Sequence, residues 1–473
     1  MGSKVGATDD NQSAEIPQIC TKSQESTGNI TEGGEDEWLI SIKNYVNDTT
    51  KKPQLVRVPS LLREIHKDCF VPLVVSIGPY HHGNPKLEAF EELKIPIAQK
   101  FCHACENKVS VEQMYKEVAR ECKSARECYE KGLTCFDDDK MFNKMMFLDA
   151  CFVLYVLSTN LQREEQNEVT ERLVKSFYTV LRDLLLLENQ IPFLVLKVLL
   201  EFRFERKTDQ TLCIQKFLEP QIKPPLRNSC TNAVKKFLAR MKGRSTKIAQ
   251  EMTKWKLDLD SSPPHLLHVM RECLISPFMH EFENMSTFVE WESYRSVTEL
   301  KSTGIHFKPS QTGNLTDVEF KSRIIYGTLA LPPTVVDDRT KSLILNLVAY
   351  EKCPHGPSDL GITSYVCLMD SLIDHPDDVK ELRKKRILVN NLGSDEELAQ
   401  LFNEIAKDLV PDPSSYAHAK NQIEHHYQDR VQVWMAECLH NHFRSPWAVV
   451  AFLGAIFVLV LTMVQTYFAI FPH

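Results

Sequence analysis

At 473 residues the chain is long enough for two or three domains of ordinary size, and with 43% hydrophobic residues it has ample material for a core. Its formal net charge of −7 is uneven: residues 1–37 hold Lys4 and Lys22 against Asp9, Asp10, Glu15, Glu25, Glu32, Glu35, Asp36 and Glu37, which leaves the remainder close to neutral. No basic domain is left to grip a phosphate backbone, and this excludes a general nucleic-acid binder.

The N-terminus lacks an apolar run behind a basic region and is not a secretory signal. Its Ser, Thr, Gly and acidic content makes 1–37 a disordered acidic tail by composition. Met1-Gly2 opens like a myristoylation site, but Gly6 stands where that motif needs Ser or Thr. Fourteen cysteines without a signal peptide read as reduced thiols. Asn29, Asn47, Asn284 and Asn314 each begin an N-x-[ST] sequon, which matters only if the domain is lumenal.

From 38 to 445 the patterning is that of a mainly helical globular domain. Met141 to Ser158 is apolar on nearly every helical face, with Phe147, Leu148, Phe152, Leu154 and Leu157 interrupted by Asp149, and reads as a buried helix. Leu173, Val174, Phe177, Val180, Leu181 and Leu184 step by three and four. Glu188-Asn189-Gln190 then breaks the series, and Pro192 opens a second helix after a tight corner. Between about 304 and 331, Gly304-Ile305-His306-Phe307, Val318-Glu319-Phe320 and Ile324 to Leu331 alternate or run apolar between turn residues, a small inserted β-ribbon. Pro376 takes a first helical position, with Asp377 and Asp378 at the positive end and Lys384, Lys385 and Arg386 at the negative one. Ser394 and Glu397 have capping-box spacing ahead of Leu398, Leu401, Phe402 and Ile405, and Pro411 stops that helix.

Trp447 to Phe471 is a run of twenty-five residues without a charged side chain. A bilayer core of about 30 Å needs roughly 20 helical residues, so the run is long enough to cross with some tilt. The expected fold is mainly α: a large helical domain with a small inserted β-ribbon and a C-terminal transmembrane helix, anchored through Trp447, Phe452, Phe457, Tyr467 and Phe471. His440, His442 and Arg444 precede the run, which puts the bulk of a single-pass, tail-anchored protein on the cytosolic side of the plasma membrane or an internal one. The expected partners are the lipid bilayer and an unidentified protein, with no nucleic acid.

Chemistry-bearing residues are few. The loop Gly78-Pro79-Tyr80-His81-His82-Gly83 can present side chains rigidly to a ligand, and it also suits a structural turn. Cys102-His103-Ala104-Cys105 with Cys122, Cys128 and Cys135 invites a zinc reading, but the later spacings are wrong for a knuckle and unpaired thiols are expected. Asp149 and Glu188 each interrupt apolar helix; they are either a proton-transfer pair or acids satisfied by a backbone amide or by an Arg such as Arg63 or Arg182. His265 and His268, three apart, belong to a helix with one polar edge. Asp337-Asp338 has the composition of a magnesium pair, whereas helix polarity already accounts for Asp377-Asp378. No P-loop, glycine fingerprint for a nucleotide, G-x-S-x-G elbow or H-E-x-x-H is present, and no cofactor is expected.

Several segments together resemble the plant family known as domain of unknown function 247. The likeness begins with Val58-Pro59-Ser60-Leu61-Leu62-Arg63 and Ser76-Ile77-Gly78-Pro79-Tyr80-His81-His82-Gly83, and continues through Phe147-Leu148-Asp149-Ala150-Cys151-Phe152 and Asp183 to Phe193. Further on come Ser296 to Leu300, Gly304 to Lys308, Val336 to Thr340, Asn346 to Glu351, Thr363 to Tyr365, Gly393 to Glu397 and Ser445-Pro446-Trp447. Ala150, Phe90 and Val297 depart from the family's usual Gly, Met and Ala, which are changes of packing. The resemblance implies a plant protein with one C-terminal span and no established enzymatic activity. Some grass members of the family are implicated in self-incompatibility, which implies a role in recognition. Two readings follow: a non-enzymatic membrane-anchored recognition or scaffold protein in cell–cell recognition or signalling, and an unrecognised membrane-associated hydrolase using the His81/His82 loop.

Overall fold

The computed structural model describes residues 55–105, 109–130, 138–158, 167–222, 262–275, 295–310, 313–323, 326–428 and 446–470. The acidic segment 1–37, the sequons at Asn29, Asn47 and Asn284, Cys135 and the anchor residue Phe471 lie outside the described residues. Among the described residues the chain is mainly helical, with five short strands.

The first half is built on one buried helix. α1 (Ser60–Ile65), α2 (Glu88–His103) and α3 (Val111–Glu127) precede α4 (Asp139–Ser158), whose side chains are buried almost continuously from Met145 to Leu157. α4 is long and apolar enough to cross a bilayer, but α2, α3, α7 (Phe193–Arg203) and α8 (Lys207–Ile222) cover it, so it is core. α3 shows why it docks: Met114, Val118, Cys122 and Ala125 recur at helical spacing and are all buried, and Ser110 caps its start by accepting from the Gln113 amide.

The apolar series from Leu173 to Leu184 is not one helix. It breaks at Ser176 into α5 (Glu168–Lys175) and α6 (Phe177–Asp183), because Ser176 leaves helical geometry (φ −101°, ψ 10°). Pro192 stands one residue ahead of α7 rather than inside it. The corner between them, Leu184 to Ile191, is buried throughout.

In the second half, α9 (Leu266–Leu274) and α10 (Val297–Ser302) lead into a three-stranded sheet of β1 (Ile305–Pro309), β2 (Glu319–Ser322) and β3 (Gly327–Leu331), in the order β1-β3-β2. The expected ribbon at 304–331 matches these strands, with one correction to its topology: β1 runs parallel to β3, and only β2 is antiparallel. A second, parallel pair joins β4 (Thr334–Val336) to β5 (Leu388–Asn390). Strands of three residues carry no period to read, which is why the sequence did not announce them.

α11 (Thr340–Glu351), α12 (Gly361–Leu372), α13 (Pro376–Lys384), α14 (Asp395–Ala406) and α15 (Ala417–Gln428) complete the domain. Pro376 is the first residue of α13, and Ser394 caps α14 by accepting from the Glu397 amide at 3.1 Å, as their sequence positions indicate. α14 ends at Ala406, earlier than Pro411 suggested. α16 (Pro446–Ile470) is helical, and Phe452, Phe457 and Tyr467 are exposed on it; its continuously described apolar stretch is Gly454–Tyr467.

A buried ion pair ties α9 to α11 and α12. Arg271 Nε donates to Glu351 Oε1 at 2.9 Å and its Nη2 to the Asp359 carbonyl at 2.9 Å. Glu351 also accepts from the Ile362 and Thr363 amides, both at 2.9 Å, and so caps α12 from the end of α11. Removing the carboxylate leaves the buried guanidinium only the half-exposed carboxylates of Asp359 and Glu272 and strips the Ile362 and Thr363 amides of their acceptor. Glu351→Ala is expected to lower unfolding free energy by about 3–5 kcal/mol in denaturant titration, and Arg271→Met by less because Glu351 keeps its amide donors. Losses below about 1 kcal/mol for Glu351→Ala would contradict this role.

Candidate functional site

The loop Gly78–Gly83 is the end of a longer irregular segment that starts near Val71, is buried from Val75 to Pro79 and has no strand beside it. A buried amide cannot be left unpaired, and here side chains take the place of a neighbouring strand. Asp183, the last residue of α6, accepts from the amides of Leu73 (2.9 Å), Val74 (2.8 Å) and Val75 (3.2 Å). Asn189 Oδ1 accepts from the Ile77 amide at 2.7 Å, and its Nδ2 donates to the Val75 carbonyl at 3.0 Å. Asp149 Oδ2 accepts from the Gly78 amide at 2.7 Å, and Lys94 Nζ donates to the Ser76 carbonyl at 2.7 Å.

Charges balance behind this row. Lys94, buried on α2, lies 2.5 Å from Asp149 Oδ1 and 2.7 Å from Glu91, which also accepts from the Ser76 hydroxyl. Asp149 Oδ1 has no aligned hydrogen bond, so the ammonium holds it by charge. Burial pushes the Asp149 carboxyl up from its ordinary pKa, and Lys94 and the Gly78 amide pull it back. Arg182 pairs with Asp183 at 2.8 Å and donates to the Asp68 and Val71 carbonyls.

The loop residues are fixed in the same way. Gly78 has φ +76°, and a Cβ there would stand 2.5 Å from the Gln190 carbonyl oxygen, so only glycine fits. The Tyr80 hydroxyl donates to the Leu55 carbonyl at 2.8 Å, with the Arg57 guanidinium 5.1 Å from the centre of its ring. His81 Nε2 lies 3.8 Å from Glu188, but that carboxylate already accepts from the Val58 amide at 2.6 Å and from Arg63. Burial, with Arg63 and then Arg57 nearby, pushes the His81 imidazole down to about 4 and keeps it neutral. No hydroxyl or thiol among the described residues hydrogen-bonds His81 Nε2.

The other sequence candidates fall elsewhere and are committed. Asp149 and Glu188 serve separate partners, each an amide and a cation, which is the structural one of their two readings. Cys102 and Cys105 are buried at the end of α2 and Cys122 on α3; among the described residues no group of three His, Cys, Asp or Glu side chains is arranged to hold a metal. His265 is the N-cap of α9: its Nδ1 accepts from the His268 amide at 3.2 Å, and His268 Nδ1 is 3.0 Å from the Tyr350 hydroxyl. Asp337 is taken by Arg339 and Thr340, and Asp378 by the Thr298 and His375 amides.

Sequence reasoning missed Lys94 and the Arg271–Glu351 pair. Lys94 had a legible signal, since it sits on the apolar stripe of Phe90, Leu93, Ile97 and Phe101. A cation on such a stripe demands a buried acid.

Comparison with known proteins agrees with the resemblance read from the motifs. A family described as plant protein of unknown function, DUF247, matches residues 55–461, which contain every element of this cluster. The chain is similar to UPF0481 protein At3g47200 of Arabidopsis thaliana, at 27% identity over 475 residues and 92% of each chain. It is also similar to putative UPF0481 protein At3g02645 of the same plant, at 26% identity over 514 residues, 92% of this chain and 95% of the other. No solved structure matches it.

Two outcomes follow from the cluster. Gly78→Ala should cost about 2 kcal/mol or more through strain at positive φ and contact with the Gln190 carbonyl, read by denaturant titration; a neutral effect would contradict the packing described. Burial pushes His81, His265 and His268 down to about 4, 3 and 4, whereas in the unfolded chain each protonates near 6.5. The unfolded state therefore binds more protons below about pH 6.5, and stability, fully present above that pH, falls on acidification towards pH 4 by up to about 1.4 kcal/mol per unit for each histidine. Thermal unfolding between pH 7.5 and 5 checks this, and a melting temperature unchanged over that range would contradict it.

Proposed function

We propose that this chain, which belongs to the plant family of unknown function DUF247, is a membrane-tethered, non-enzymatic scaffold that presents a rigid helical domain to a protein partner on the cytosolic side. The observation that carries this reading is a contrast in how side chains are used. The Gly78 amide, the Tyr80 hydroxyl and the carboxylate beside His81 are committed to partners within the chain, whereas α16 leaves Ile456, Phe457, Leu459, Val460 and Met463 exposed.

Physical arithmetic supports the tether. The 25 residues of α16 rise roughly 37 Å, against a hydrocarbon core of about 30 Å. Thr462 and Thr466 donate their hydroxyls to the Val458 and Thr462 carbonyls, so neither brings an unpaired donor into lipid. Arg444 upstream favours the domain on the cytosolic side. A tether concentrates the domain near membrane partners and turns weak contacts into occupied ones. Leu61 and Ile65, one turn apart on α1, and Leu73 are exposed and supply apolar contact area for a partner. The hydrolase alternative gains no support: His81 is neutral, its nearest acid serves Arg63 and the Val58 amide, and no nucleophile reaches it among the described residues.

The full-length protein in plant microsomes should resist alkaline extraction, lose that resistance when residues 447–473 are deleted, and leave its domain open to added protease in intact vesicles. Release of the full-length chain at alkaline pH would contradict the tether. Shielding of the domain, or a glycosidase-sensitive shift at Asn314, would contradict the cytosolic placement. Proximity labelling should give different neighbours with and without the anchor.

A further inference from the structure

Although the chain carries −7 overall, one face collects cations. On the outer face of the three-stranded sheet, His306, Thr328 and Lys321 form a single row across β1, β3 and β2, and Lys308 stands two residues further along β1. Ile305, Phe307, Phe320 and Leu329 point the other way, into the core. Arg323 follows β2, its guanidinium 5.7 Å from the centre of the Tyr326 ring, which is itself 5.5 Å from the His306 ring. On the far side of His306 stand Lys301 on α10 and Lys385 just after α13; burial first, then these two ammonium groups, holds the imidazole below its ordinary pKa.

Counter-ions are scarce. Glu381 binds Lys301 and Lys384, both at 2.7 Å, and Glu319 binds Lys321 at 2.8 Å. No ion pair to Lys308, Arg323, Lys385 or Arg386 occurs among the described residues, and all four are exposed. Helix polarity accounts for the basic end of α13, but not for the cations of the sheet, which have no such dipole to answer.

The patch lies where the chain leaves the domain. α15 packs beneath β2, and His426, close to its last residue, is 3.0 Å from the Ser322 hydroxyl and 5.6 Å, ring to ring, from Phe320. Ser322 is flanked by Lys321 and Arg323, and only residues 429–445 separate the end of α15 from α16. A chain anchored through α16 thus brings this face within reach of headgroups.

We infer that the face formed by Lys301, Lys308, Lys321, Arg323 and Lys385 docks on the anionic phospholipid headgroups of the bilayer that holds α16. This rests on the tether proposed above. The cytosolic leaflet carries negative charge, and basic residues near it are attracted over about a Debye length, roughly fivefold in affinity per Lys or Arg. The tether then fixes the address of the domain, and the patch fixes its orientation at high local concentration.

The test uses full-length protein reconstituted into vesicles of phosphatidylcholine alone or with added phosphatidylserine. Flotation comes first: the chain should float with both, and failure to float would sink the tether and this docking with it. Amine-reactive pulse labelling read by mass spectrometry follows at about 0.1 M salt. Lys308, Lys321 and Lys385 should be modified several-fold more slowly in the anionic vesicles, while Lys123 and Lys144, exposed on α3 and α4, should not change. The protection should vanish near 1 M salt, where the Debye length is about 3 Å. It should also vanish, judged by Lys321, in a Lys308→Glu, Arg323→Glu, Lys385→Glu variant that still floats. Equal labelling in the two vesicle types would overturn the inference. So would protection already present in detergent and lost on deleting residues 1–37, which would assign the patch to the chain's own acidic segment.

Discussion

Between Val71 and Gly78 the chain runs with no neighbouring strand, entering the interior from Val75 onward, and amides buried there need acceptors from elsewhere. An unpaired buried amide costs about 1–3 kcal/mol, so leaving the buried amides of Val75, Ile77 and Gly78 unpaired would cost a large share of the stability of a domain. The answer is a set of acceptors projected from helices and from the corner after α6: Asp183, Asn189 and Asp149. Each acid then needs a cation, and Arg182 and Lys94 supply them. The fold of the first half hangs on this exchange of strand pairing for side-chain pairing.

That constraint explains why the segments by which the chain resembles its family lie so far apart in sequence. Val58 and Arg63 meet Glu188; Gly78 meets Asp149; Val75 and Ile77 meet Asn189; Gly78 also presses on the Gln190 carbonyl. They are parts of one buried joint. A histidine in such a setting is held neutral by burial and by two arginines, and the loop that carries it is continuous with the joint. The function proposed above accordingly rests on surfaces, on what the domain exposes to a partner.

Much of the fold was legible because helices repeat. The period over α4, the proline at the start of α13 and the Ser394–Glu397 cap of α14 all sit where the sequence put them. The expectation that Glu188 is satisfied by a backbone amide or by an Arg such as Arg63 or Arg182 also matches the geometry, where the Val58 amide and Arg63 both reach it. Pairings across long separations left no trace in one sequence: Arg271 finds Glu351 eighty residues on, and β1 pairs parallel with β3 across an intervening strand. His265 is an unusual cap whose helical spacing to His268 disguised it as part of the helix it starts. The cationic face escaped notice because its members are single residues on β1, β2 and the ends of α10 and α13, joined only by the register of the sheet.

The most direct test of the account is native-state hydrogen exchange at the amides of Leu73, Val74, Val75, Ile77 and Gly78. If side chains replace a strand there, these amides should exchange only with global unfolding, as slowly as those in the middle of α4, and Asp183→Asn should loosen the first three of them before the rest. Exchange on the timescale of exposed loops in the unmodified protein would mean that the segment is not held as described, and a free and reactive His81 loop would have to be reconsidered.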